Sequence, residues 1–80
     1  MSDLRDLLDA VTDRESFLVF VRALVADRME QPGAWESSSV EGFLGAAVAW
    51  AEDSRDPPGL PREPSWRAFA TFLYCGKIYE

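Results

Sequence analysis

Two proline-rich breaks divide the eighty-residue chain before any element is assigned: Pro32-Gly33 near the middle, and Pro57, Pro58, Pro61 and Pro64 with Gly59 among them later on. Proline fixes φ and lacks an amide hydrogen, so neither a regular helix nor a central strand can run through these positions. What the breaks leave between them is apolar residues spaced by three and four, the period of a helix with one buried face. No alternating β-branched run and no internal repeat is present.

Four helices follow from that spacing. Leu4, Leu7, Leu8 and Val11 mark a short first one, which is marginal alone and must dock on the rest. Thr12 and Glu15 are spaced as a capping box for the second, which runs to about Met29 with a stripe of Phe17, Leu18, Val21, Leu24, Val25 and Met29, widened by Phe20. Ser38 and Glu41 repeat the box before a third helix, whose expected inner face is Val40, Phe43, Leu44, Ala47, Val48 and Ala51. Its small residues, Gly42, Gly45, Ala46, Ala47 and Ala49, suit close approach of a neighbouring helix. Ser65 caps a last helix through Trp66, Phe69, Ala70, Leu73 and Lys77. The expectation is an all-α single domain over residues 1–80, a bundle of three main helices plus a short N-terminal one.

The chain holds fourteen acidic and eight basic residues, a net charge of −6, and no histidine. The acidity repels phosphate backbones, which argues against a nucleic-acid partner. The missing histidine removes the usual general base near neutral pH and the commonest metal ligand, so no cofactor or metal site is expected. Catalysis by paired carboxylates stays open, because two acids in different environments can divide acid and base work. The single cysteine, Cys75, cannot close an internal disulfide and sits in an apolar helix face, where a buried inert thiol is expected. No apolar run approaches the roughly 20 residues that span a bilayer, so no membrane partner is expected and the cytoplasm is the expected compartment.

Most acids have local reasons to be where they are. Asp3, Asp6, Asp13, Glu15, Glu36 and Glu41 fall near helix N-termini, which favour negative charge, and Asp27 and Glu30 are expected near the start of the third helix. Glu52 and Asp53 instead end a helix, where the dipole disfavours them, and Asp56 follows without a local need. These three form a candidate acidic corner for a basic protein partner, unless they are a solvated helix end balanced by Arg55. Of three tryptophans, Trp35 lies in a turn beside Glu36 and is the one expected to be exposed, as a candidate binding residue.

Trp35-Glu36, the Val40-Glu41-x-Phe43-Leu44 helix start, Trp50, Ser65-Trp66 with Phe69-Ala70, and Ile78-Tyr79-Glu80 together resemble a family of small uncharacterised bacterial proteins, from the second helix onward. That resemblance implies no active site. In size and acidity the chain also looks like immunity proteins that neutralise partner toxins, which implies an interaction module that occupies a basic partner's surface. A self-associating subunit and a carboxylate-based binder or enzyme are the alternatives.

Overall fold

The computed structural model describes residues 4–53 and 60–79, and among them the structure is helical with no strand. Helix α1 is Leu4–Asp9, α2 Arg14–Glu30, α3 Val40–Asp53 and α4 Trp66–Ile78, with a 3₁₀ turn at Pro32–Ala34. The bundle of three main helices and a short first one is therefore the architecture, and no helix among the described residues is long and apolar enough to cross a membrane.

The starts of α2 and α3 fall one residue later than the sequence spacing indicates. Asp13, not Thr12, caps α2: its carboxylate accepts from Ser16 N at 2.9 Å while the Ser16 hydroxyl accepts from Asp13 N at 3.1 Å, a reciprocal box. These bonds hold the Asp13 carboxyl below its ordinary value, the backbone amide of Ser16 contributing most. At α3 the Ser39 hydroxyl accepts from Gly42 N at 3.0 Å, so Ser39 takes the role expected of Ser38. Ser65 caps α4 as its position implies, accepting from Ala68 N at 3.0 Å.

Helix α4 is the hub: α1, α2 and α3 all pack on it, whereas no Cα atom of α2 comes within 8 Å of one in α3. The main core lies between α1, α2 and α4, where Leu8, Val11, Phe20, Leu24 and Ala70 are buried. Phe20, at 0% exposure, is its largest fully buried side chain, so the residue that only widened the expected stripe is its centre. A helix of six residues such as α1 persists because Leu8 and the following Val11 close this core, with Arg67 reaching Asp9 at 3.1 Å on the outside.

The α3–α4 contact is built differently. Ala47 is fully buried there, and Gly76 lies so close that a Cβ on it would come within 2.9 Å of both the Phe43 ring and the Phe43 carbonyl oxygen. The glycine that permits close approach is thus on α4. On α3, the space beside Gly42 is filled by the Ser37 and Ser39 side chains, and nothing lies within 4 Å of where a Gly45 Cβ would be. Since α2 does not reach α3, half of the expected inner face of α3 is uncovered: Val40, Leu44 and Val48 are exposed.

Candidate functional site

Trp35 is not the exposed tryptophan. Its indole N–H donates to Asp27 Oδ2 at 2.8 Å, its ring packs on Phe43 with centroids 5.5 Å apart, and Arg28 and Lys77 approach its face. The turn is drawn inward because Glu36 N donates to the Lys77 carbonyl, tying the segment after Trp35 to the end of α4. Asp27 accepts in addition from Lys77 Nζ at 2.9 Å, both side chains being largely shielded from solvent. The hydrogen bond from Lys77 is the main cause that holds the Asp27 carboxyl below its ordinary value. Asp27 therefore serves α4 rather than the start of α3, which Arg28 reaches instead by donating to Ser38 O at 3.2 Å.

Of the expected acidic corner, Glu52 and Asp53 fall within the described residues. Asp56 and Arg55 lie outside the described residues. Glu52 and Asp53 are exposed at the end of α3, and Asp53 accepts a hydrogen bond from the Tyr79 hydroxyl, which raises the Tyr79 pKa above its ordinary value. That partner, far along the chain, was not legible from the local charge pattern. The contacts of Trp35 are with Asp27, Arg28, Phe43 and Lys77, and Asp53 is bonded to Tyr79.

What the fold does assemble is apolar surface. At the N-terminal ends of α2 and α4, Phe17, Trp66 and Phe69 form a ring cluster with centroid separations of 5.3, 6.2 and 6.5 Å. Trp66 is 40% and Phe69 48% exposed, so the solvent-facing tryptophan is Trp66. Further along, the gap between α2 and α3 is an apolar groove of about 320 Å³, lined by Val21, Leu24, Val25 and Met29 of α2, Phe43 of α3 and Leu73 of α4, with Trp35 and Arg28 at one end. Phe17 precedes Val21 by one turn and Phe69 precedes Leu73 by one turn, and none of the three cluster residues lines the groove.

A polar hollow of about 530 Å³ opens on the other side of α2, lined by residues that include Arg5, Ala26, Asp27, Glu30, Tyr74 and Lys77. Two acids face it, but Asp27 is already paired with Lys77. Cys75 is buried, and burial pushes its thiol upward. Among the described residues no three His, Cys, Asp or Glu side chains form a group that could hold a metal, and no buried side-chain polar atom lacks a partner.

A family model matches residues 13–80, from the α2 cap to the end of the chain. The chain belongs to DUF7660, a family of unknown function. The DUF7660 match takes in α2, α3, α4, the ring cluster and the groove, while α1 and Val11 precede it. No curated protein and no solved structure matches the chain.

Proposed function

We propose that this member of DUF7660 is a protein-interaction module that acts by occupying a partner's surface, in the manner of an immunity protein, and not by catalysis. The observation that carries this reading is the ring cluster of Phe17, Trp66 and Phe69, which leaves two large aromatic side chains in solvent on a small domain. Tryptophan and its aromatic neighbours are the side chains most enriched among binding hot spots. The partner is a basic protein: a charge of −6 steers a cationic surface toward the domain and raises the association rate, with Glu52 and Asp53 among the exposed acids that supply the field. In this reading the protein works in a bacterial cytoplasm, where the lone thiol stays reduced.

The test is affinity capture from the native lysate with three baits, each checked for helicity: the wild-type chain, Trp66→Ala/Phe69→Ala, and Glu52→Lys/Asp53→Lys. The expected result is a basic protein retained by the wild-type bait, lost with the aromatic double variant and captured more slowly with the charge-reversed one. Retention of the same protein by all three baits at equal rates, or capture of no basic protein, overturns the proposal.

A further inference from the structure

Two uncovered apolar faces among the described residues, one on α2 and one on α3, carry opposite charge. On α2, the side that lines the groove presents Val21, Val25 and Met29 at successive turns, with Arg28 beside them. Helical spacing places the exposed Arg22 on the same side. The acids Asp27 and Glu30 face the polar hollow on the other side of α2, and Glu15, nearest to the groove side, is paired with Arg14 at 2.8 Å. On α3, Val40, Leu44 and Val48 recur at the same interval, 72%, 45% and 46% exposed. Their charged neighbours are Glu41 and Glu52, and the helix holds no lysine or arginine.

Both rows are ridges of three residues spaced by four, of equal length, about 12 Å at the rise of an α-helix. Ridges of this kind interlock at about −50°, the commonest helix packing in globular proteins. Gly45 adds a second sign on the α3 side. A glycine weakens a helix interior, and nothing among the described residues lies within 4 Å of where its Cβ would be, so packing among them does not account for it. A helix laid across Leu44 and Val48 would use that space. Donor row and acceptor groove also lie side by side, since Val40 lines a hollow that shares Arg28, Trp35 and Phe43 with the groove. Such adjacency lets one two-fold axis satisfy both contacts at once, the ordinary geometry of a homodimer.

We propose that the α2–α3 groove is the docking site of a second copy of this chain, which inserts its Val40–Leu44–Val48 ridge between Arg22 and Arg28 while receiving the same ridge in return. The interface is independent of the Trp66–Phe69 cluster assigned above to the heterologous partner, so either assignment can fail without the other.

Sedimentation equilibrium over a broad concentration range tests it, with circular dichroism confirming the fold of each variant. The wild-type chain is expected to show a monomer–dimer equilibrium. Arg22→Glu/Met29→Glu, which reverses the groove, and Glu41→Lys/Leu44→Lys, which reverses the ridge, are each expected to raise the dimer dissociation constant by about tenfold or more. An equimolar mixture of the two variants is expected to regain the dimer, because each supplies the face complementary to the other's altered one. A chain that is monomeric at every concentration, a dimer indifferent to both variants, or a mixture that stays monomeric overturns the proposal.

Discussion

The two long helices that pack on α4 do so by opposite means. Helix α3 comes in close, with Gly76 and Ala47 removing side-chain bulk so that the backbones nearly touch. Helix α2 stands off on large side chains, Phe20 and Leu24 filling the space with Leu8 and Val11 from the N-terminal segment. Close approach binds α3 to one neighbour and leaves its outer ridge bare. Standing off makes the larger core but also opens the groove between α2 and α3. Small residues thus set how near two helices come, and large ones set how much apolar surface a contact removes from water.

The sharpest way to break the α2 side is Phe20→Ala. A fully buried phenylalanine at the centre of the main core leaves a cavity that no neighbour can close, and the expected loss is about 3–5 kcal/mol by urea denaturation. A loss below about 1 kcal/mol would show that the standoff packing relaxes around the gap.

Asp27 pins the open end of the same side through Lys77 and Trp35, and Asp27→Asn is expected to cost about 1–3 kcal/mol, the worth of hydrogen bonds to a charged group. The carboxyl sits below its ordinary value near 3.8, so its contribution is fully present above that pH. It is lost as the pH falls through the lower folded-state value, because the unfolded chain takes up the proton first. The stability gap between wild type and Asp27→Asn, followed by denaturation from pH 6 downward, should accordingly hold above pH 3.8 and close below it.

The two glycines sharpen the other side with effects of opposite sign. Gly76→Ala pushes a methyl group against the Phe43 ring and carbonyl, and overpacking outweighs the gain in helix propensity for an expected net loss of about 1–2 kcal/mol. Gly45→Ala meets nothing and is expected to stabilise the monomer by up to about 1 kcal/mol. Thermal unfolding of the pair in one buffer reads both, and equal shifts would mean that α3 is held no closer to α4 than α2 is.

The sequence by itself determined the helices, because periodicity, caps and proline breaks act within a few residues. The all-α class, the four elements, the Ser65 cap and the buried Cys75 were all readable in that way. Even the misplaced caps erred by one position, since Thr12-Asp13 and Ser38-Ser39 each offer adjacent side chains that can accept the same kind of bond. Tertiary structure decided which side of each helix meets a neighbour. A period of 3.6 shows that Val40, Leu44 and Val48 share a face with Ala47, but not that α2 stays too far away to cover it. The exposure of Trp35 escaped the sequence for the same reason: a turn tryptophan is drawn inward by Asp27, Phe43 and Lys77, the last of them about half the chain away, while Trp66 at a helix start stays at the rim of the core. Contacts between distant residues depend on where whole helices come to rest, and that is settled by the volumes packed between them, not by any local pattern.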